Sequence, residues 1–376
     1  MIANRYICKL GWNVGLGLLL LASAQFAVSG QSNEESKRQA SLPPTMDLRR
    51  GDVIRFDKQG PAAVSSKIKC GPGGDIYAVY SSTSSQEMWG NPIRRISVSS
   101  HSVTEYPVPS ISGYQRIARV SFDVSADGTL YSLLQAYPQL GSDKSERVYL
   151  VAKYKNDGQV DSSFTIGDIP GKHIRPIVLS MFGADDSLVS GTTTPKDSGT
   201  PLGVFSAIFD RGGRFRAPIS IMKFDPPKSE SESPNQKNAI SLASSVLSVS
   251  SADGNIRVLQ DGRLQSISPS GAIEHESELL PPADKLSPTQ MAAAGASHLF
   301  VSYDYLSTGG PVEETNKYRS MLTVVQMQTG EETLAYRLPQ AEKNFSVSAC
   351  AASLSDFLFI GSDEQGRLAV VHYVPQ

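Results

Sequence analysis

Short runs of apolar residues alternate with polar turn residues along most of the chain, with the period typical of β-strands. One pattern recurs six times: an apolar or small-residue strand, a tight turn with glycine, aspartate or serine, and a strand that begins with a bulky residue. The six copies occupy residues 70–80, 120–131, 178–189, 246–257, 291–301 and 349–359. Asp127-Gly128 and Asp253-Gly254 are strong hairpin signals, because such turns need positive φ angles. No helical stripe of useful length interrupts the series.

A second hairpin follows the first in four copies, so that each unit holds four strands. The second turns lie at residues 156–158, 212–213, 270–271 and 329–330. Repeated four-stranded antiparallel units are the blades of a β-propeller, and small residues such as those at 292–295 fit the crowded inner strands. We therefore expect an all-β propeller of six four-stranded blades. An extended sandwich or a two-domain β-protein is the alternative.

The two ends of the repeat series indicate how the ring closes. The last copy supplies only three strands, because the chain stops soon after the run 368–374. We expect an N-terminal strand to supply the fourth, either Val53–Phe56 or residues 62–68. Residues 56–60 also resemble a turn between the third and fourth strands of a blade. A partial seventh blade is therefore an alternative to the sixfold ring.

The N-terminal residues are typical of an export signal. Arg5 and Lys9 precede an apolar run that ends near Ala22, small residues follow, and no acidic residue occurs before Glu34. We assign residues 1–30 to a signal peptide, 31–51 to a disordered spacer and 52–376 to one propeller domain. An uncleaved anchor is the alternative, although the apolar run is shorter than the roughly 20 residues of a spanning helix. We expect a secreted or periplasmic protein with no membrane contact after cleavage.

Composition narrows the choice of partner. Removal of residues 1–30 takes away two of the 35 basic residues and none of the 37 acidic ones, and leaves a net charge of −4. A mildly acidic chain lacks the basic surface that nucleic-acid binding requires, so we expect no nucleic-acid partner.

By architecture and turn pattern, residues 52–376 resemble the extracellular six-bladed β-propellers, including those built from NHL-type repeats. The resemblance implies a fold only. The blade motif Tyr-Trp-Thr-Asp is absent, and residues 251–255 lack the glycine and aromatic spacing of a sialidase-type aspartate box. No site residue is therefore carried over from a known family.

Candidate catalytic and metal-binding motifs are missing. None of the five histidines forms a pair with metal-ligand spacing, and there is no Gly-x-Ser-x-Gly nucleophile elbow. The acids that recur at the first turns could be read as a catalytic or calcium ring, but we favour plain turn chemistry for them. They are Asp75, Asp127, Asp185 and Asp253. We predict no metal and no cofactor.

A recurring set of basic residues predicts a ligand-binding site. Basic residues lie upstream of the inner strands, in the connections that open on one face of a propeller. The residues of this cationic rim are Arg116, His173, Arg175, Lys285 and Lys343. In the first blade, Lys67 and Lys69 lie closer to the first turn than the other rim residues do in their blades. A concave rim of one charge sign attracts anions. The rim predicts an anionic small-molecule or sugar ligand, or an acidic protein partner, with ordinary solvated side chains as the alternative.

Cys70 and Cys350 occupy matching places on the inner strands of the first and last copies. A disulfide between them would join the seam of the ring. We favour two buried free thiols, since neighbouring inner strands can lie beyond the roughly 7 Å Cα separation that a disulfide tolerates.

Two function classes remain. The first is a ligand- or partner-binding scaffold, and the absence of a catalytic motif favours it. The second is an extracytoplasmic hydrolase or lyase that acts on a carbohydrate or lactone. A polar, proline-punctuated insertion at residues 225–237 is interpreted as an exposed loop, with a lid over the channel mouth as the alternative.

Overall fold

In the computed structural model, the strands of this protein form six largely antiparallel units in propeller-like order, as three four-stranded sheets, one five-stranded sheet and one eight-stranded sheet that holds two units. The structure describes residues 43–61, 63–64, 68–81, 90–138, 147–183, 186–195, 203–222, 236–282, 286–305, 318–339 and 345–376. The predicted signal peptide, Asp185, Lys67, Lys285, Lys343 and most of the 225–237 insertion lie outside these ranges. Among the described residues, no helix is long and apolar enough to cross a membrane.

The first three units follow one another along the chain. Unit 1 comprises β2 (Ala63–Val64), β3 (Lys69–Cys70), β4 (Ile76–Ser81), β5 (Ile93–Ser97) and β6 (Ser102–Tyr106), with a 3₁₀ turn at Pro72–Gly74. Unit 2 comprises β7 (Tyr114–Val124), β8 (Leu130–Pro138), β9 (Val148–Tyr154) and β10 (Val160–Ile166). Unit 3 comprises β11 (Lys172–Met181), β12 (Ser187–Pro195), β13 (Gly203–Phe209) and β14 (Phe215–Pro218).

The last three units complete the series with one strand from the N-terminal side. Unit 4 comprises β15 (Leu247–Ser250), β16 (Ile256–Gln260), β17 (Arg263–Ile267) and β18 (Ile273–Glu278). Unit 5 comprises β19 (Leu286–Ala294), β20 (His298–Tyr305), β21 (Tyr318–Gln326) and β22 (Glu332–Pro339). Unit 6 comprises β23 (Phe345–Ser353), β24 (Asp356–Ser362), β25 (Arg367–Pro375) and β1 (Thr45–Gln59).

The inner strands close a ring. In chain order β3, β7, β11, β15, β19 and β23 each contact the next, and β23 contacts β3. Six clusters of buried apolar side chains, one at each seam between neighbouring units, account for the packing of the described residues. The all-β propeller fold predicted from the repeat is therefore confirmed. Each unit buries its faces against two neighbours, which a single four-stranded sheet cannot do alone.

The strand that closes the ring is β1. It pairs antiparallel with β25, with Val53 opposite Val371, and its first residues pair in parallel with β22. Of the two candidate segments, the one at 53–56 is therefore the outer strand, whereas Ala63–Val64 pairs with β4. Residues 56–59, which resembled a turn, continue the same strand. The segment has strand character because Leu48 and Phe56 point into two different seams.

β1 begins at Thr45, inside the segment 31–51 that the composition indicated as a spacer. Few apolar groups occur there, but Leu48 is fully buried and Asp47 Oδ1 accepts a hydrogen bond from Arg337 Nε at 2.7 Å. One buried leucine and backbone pairing on two sides are sufficient to order a polar segment that composition alone marks as unstructured.

The acids at the first turns have structural partners. Ser125 Oγ donates to Asp127 Oδ1 at 2.6 Å, and that oxygen also accepts the Thr129 amide at 3.0 Å. Ser251, Asp253 and Asn255 repeat the arrangement with distances of 2.7 and 3.0 Å. These carboxylates stabilise the hairpin turns, as their position predicted.

An α-helix that the strand pattern did not predict, α1 (Gln236–Ser244), begins at the end of the insertion. Ala239 and Ala243 are one helical turn apart and fully buried, and the helix contacts β11, β12 and β13 of unit 3. A nine-residue helix gains its stability from such packing rather than from propensity, which is why the strand-dominated sequence pattern concealed it.

Candidate functional site

Polar side chains from the inner strands converge in the central channel. Lys69 on β3 and Asp123 on β7 form an ion pair, with 2.9 Å between Lys69 Nζ and Asp123 Oδ1. Lys69 Nζ also donates to the Ser248 carbonyl at 2.7 Å, and Asp123 Oδ2 accepts the Met181 amide at 2.8 Å. Four of the six inner strands therefore meet at one ion pair.

Asp123 is fully buried, whereas 16% of the Lys69 side chain is exposed. A buried carboxylate is tolerated only when opposite charge and hydrogen bonds replace the water it loses. The Lys69 ammonium and the Met181 amide supply these interactions. Ser250 Oγ lies 3.2 Å from Asp123 Oδ2 and 2.6 Å from the Met181 carbonyl, and its single hydrogen can serve either acceptor.

A cavity of about 110 Å³ lies beside this ion pair. Half of its lining residues are polar, namely Lys69, Ser121, Ser244, Ser248, Thr289 and Gln290. The other half is apolar, from Ile68, Val178, Leu179, Val246, Leu247 and Met291. At about 30 Å³ per water, the cavity holds roughly three or four waters or one small functional group.

Lys69 is the cation of this cavity. The Ser248 carbonyl accepts a hydrogen bond from the Lys69 ammonium, the Asp123 carboxylate pairs with its charge, and no other described residue accepts a hydrogen from it. The cavity wall thus offers one charged hydrogen-bond donor to a ligand oxygen. Since Asp123 balances the charge of Lys69, the cavity as a whole carries little net charge.

Gln290 supports the other side of the Lys69 segment. It is 3% exposed, and its Nε2 donates to the Ile68 carbonyl at 3.3 Å and lies 3.8 Å from Cys70 Sγ. A buried amide that bonds the residue before Lys69 fixes the course of the chain at the cavity wall.

Cys70 and Cys350 form a disulfide, with sulfurs 2.08 Å apart and Cα atoms 5.4 Å apart. The preference for two free thiols was therefore wrong. Neighbouring inner strands converge toward the axis, and β3 and β23 lie closer together than the roughly 7 Å limit that argued against a bond.

The structure places the three described residues of the cationic rim outside the cavity lining. Arg116, His173 and Arg175 are exposed on the upstream parts of β7 and β11, and His173 Nδ1 lies 3.5 Å from Asp168 Oδ2. At about 3.3 Å per strand residue, Arg116 is roughly 16 Å upstream of Ser121 and Arg175 roughly 10 Å upstream of Val178. Lys285 and Lys343 lie outside the described residues, so the rim as a set stays a prediction.

The sequence reasoning noted Lys69 but missed Asp123. The informative signal was an acid between Phe122 and Val124, at the end of a predicted inner strand, where a carboxylate has no access to solvent and must have a partner. Gln290 carries the same signal, as an amide beside the small residues of β19.

Comparisons with known proteins give a weak likeness only. No family model and no curated protein matches the chain. A protein of unknown function from Dyadobacter fermentans is 10% identical and has a TM-score of 0.48, with 88% of this chain and 99% of that one covered. A protein of unknown function from Bacteroides caccae is 10% identical with a TM-score of 0.38, over 74% and 88% of the two chains.

A third similar structure is that of regucalcin, a calcium-binding protein from Agrobacterium tumefaciens. It is 11% identical with a TM-score of 0.40, over 89% of this chain and 98% of that one. In the part of this chain that the structure describes, no group of three or more histidine, cysteine, aspartate or glutamate side chains could hold a metal ion. These comparisons assign no residue of the channel.

Proposed function

We propose that this protein is an exported propeller of the six-bladed, NHL-like class and acts as a binding scaffold, with the Lys69 cavity as its ligand site. The carrying observation is Lys69, a cation of the cavity lining whose ammonium donates one hydrogen bond to a described residue, the Ser248 carbonyl, and pairs with Asp123. The N-terminal export pattern supports a secreted or periplasmic location. The disulfide supports it too, because such bonds persist in oxidising compartments.

The charge balance of the cavity narrows the ligand class. A carboxylate placed against Lys69 would lie close to Asp123 and be repelled by it, so the group that enters the cavity is an uncharged oxygen acceptor such as an amide, acetyl or hydroxymethyl group. Arg116 and Arg175 lie upstream, where they would attract an anionic remainder. An acidic sugar derivative or a comparable small anion with an uncharged tip meets both conditions.

The hydrolase or lyase alternative gains no support from the channel. Asp123 is fully buried and bonded to Lys69 and to the Met181 amide, so its carboxylate serves as a structural counter-ion. A general base must reach a substrate proton within about 3 Å, and Asp123 has no such exposure.

A binding screen with a blocked cavity tests the proposal. We expect acidic and N-acetylated sugars to raise the thermal midpoint of the protein, because a ligand that binds only the folded state stabilises it by mass action. Ser244 is exposed at the cavity edge, and Ser244→Trp should abolish the shift. Ser241→Trp, at an exposed position of α1 outside the cavity lining, is the matched control and should preserve it.

The same screen distinguishes ligand binding in the cavity from ligand binding at the cationic rim. The double change Arg116→Ala with Arg175→Ala should weaken anionic ligands about tenfold and leave neutral ones unchanged. A ligand shift that persists in Ser244→Trp would show that the cavity is not the binding site. Loss of the shift in Ser241→Trp as well would mean that the helix surface, rather than the cavity, is involved.

A further inference from the structure

The inner strand of unit 1 pairs with β4 in two described pieces. Ala63 and Val64 lie opposite Ser81 and Tyr80, and the ladder pairs of β3 are Lys69 with Tyr77 and Cys70 with Ile76. Lys69 therefore lies at the first described position of β3, and side-chain contacts at its two neighbours add to the ladder there.

Two side-chain connections hold the residues on either side of Lys69. The disulfide joins Cys70, the residue after Lys69, to Cys350 on β23 of unit 6. Gln290 on β19 bonds the carbonyl of Ile68, the residue before Lys69. The covalent connection is the stronger one, and it reaches the chain one residue from the ammonium.

The disulfide is not the only closure of the ring. β1 pairs with β25 over most of its length and buries Phe56 in the seam between units 6 and 1. Loss of the covalent bond therefore leaves the folded ring closed at its outer side. The local effect falls on β3, because the disulfide is attached there at Cys70, next to Lys69.

We propose that the Cys70–Cys350 disulfide positions Lys69, and that its reduction dismantles the cavity while the propeller stays folded. The ligand part of this inference rests on the proposed function, whereas the positioning of Lys69 does not. Under reducing conditions the binding site is absent, and in an oxidising compartment it is assembled.

The redox step requires an external dithiol. Its first thiolate attacks a sulfur of the disulfide and forms a mixed disulfide, and Cys70 is the partly exposed partner whereas Cys350 is fully buried. The second thiol then closes the oxidised reductant. The sulfur–sulfur bond of the protein breaks, each cysteine gains one hydrogen, and the reductant becomes a cyclic disulfide.

Acylation of the Lys69 amine reports its position without any ligand. The purified protein is treated with an amine-reactive acetyl ester when oxidised and when reduced by dithiothreitol, and each lysine is quantified by mass spectrometry. We expect labelling of Lys69 to rise about tenfold on reduction, because local opening exposes the amine. The double variant Cys70→Ser with Cys350→Ser should match the reduced protein. Lys155 and Lys172, which are exposed, should not change.

Hydrogen exchange distinguishes a local from a global effect. Faster exchange should be confined to β3 and its partner residues in β4, with β24 and β25 unchanged. Unchanged Lys69 labelling after verified reduction, or loss of protection throughout β24 and β25, would overturn the inference. If labelling rises but no sugar or carboxylate shifts the oxidised protein, the ligand proposal fails and the positioning of Lys69 by the disulfide stands.

Discussion

At the scale of single residues, the Lys69–Asp123 pair decides the character of the channel. Asp123 is fully buried on β7, and its contacts come from Lys69 and from residues of other units rather than from water. Such pairs add little stability over an apolar core of the same shape, but removal of one partner leaves a charge without compensation.

We expect Asp123→Asn to lower the free energy of unfolding by about 3 kcal/mol, because the Lys69 ammonium would lose its counter-ion. Urea denaturation measures the effect. The control Asp127→Asn alters a carboxylate in an exposed turn and should cost about 1 kcal/mol or less. Equal losses in the two variants would contradict a special role for the buried pair.

Glu332 gives a second residue-scale prediction. Burial raises its pKa from 4.5 to about 7, although Glu332 Oε1 accepts the Leu280 amide at 3.2 Å. The folded protein keeps this proton at pH values where the unfolded chain has lost it. Its stabilising contribution is therefore complete below pH 4.5 and is lost as the pH rises through about 7.

Glu332→Gln removes this titration and keeps the oxygen acceptor. We expect the variant to exceed the parent in stability at pH 8 by about 2 kcal/mol, after allowance for solvent screening, and to equal it at pH 4. Thermal unfolding across this pH range measures the difference. Glu331→Gln, at the neighbouring exposed position, is the control. An equal gain in stability at pH 8 in that variant would show that the effect arises from surface charge.

At the scale of elements, β1 connects units 5 and 6. Its first residues pair with β22 and the remainder with β25, and Leu48 is fully buried between them. The outer strand of unit 6 is thus joined to the body of the ring by a segment that is distant in sequence.

Leu48→Ala should cost about 3 kcal/mol, as is usual for a buried leucine replaced by alanine. Limited proteolysis should then cut near the β1–β25 pair sooner than elsewhere, because the closing strand would open first. Arg49→Ala, at an exposed neighbouring position, should leave both measurements unchanged. Early cleavage at a different seam would show that closure does not depend on β1.

At the scale of the whole molecule, ring closure is both covalent and non-covalent. The disulfide joins residues 280 positions apart, so it restricts the unfolded chain much more than the folded one, in which β1 already holds the two ends. The global and the local effects of reduction are therefore separable.

We expect the double change Cys70→Ser with Cys350→Ser to lower the free energy of unfolding by about 4 kcal/mol, because the unfolded chain gains conformational entropy when the cross-link is removed. The circular dichroism of the folded state should be retained. Urea titrations of the oxidised protein and the variant measure this. An unfolded spectrum without urea would show that β1 does not suffice to close the ring.

The sequence by itself determined the repeat. Asp127-Gly128 and Asp253-Gly254 specify hairpins through local backbone chemistry, and the alternation of apolar residues sets the strands, so four-stranded units could be predicted without any long-range information. The choice of β1 over residues 62–68 was not local, because both segments have strand character and only seam packing of Leu48 and Phe56 selects one.

The site was decided by the tertiary structure. Lys69, Asp123 and Gln290 are separated by 54 and 167 residues in sequence, and only the ring of inner strands brings Lys69 and Gln290 to one cavity and pairs Lys69 with Asp123. The Cys70–Cys350 bond likewise depends on a 5.4 Å approach of two strands that no sequence spacing specifies. Turns and strand periods follow from neighbouring residues, whereas a buried ion pair and a disulfide depend on how closely the closed ring brings its inner strands together.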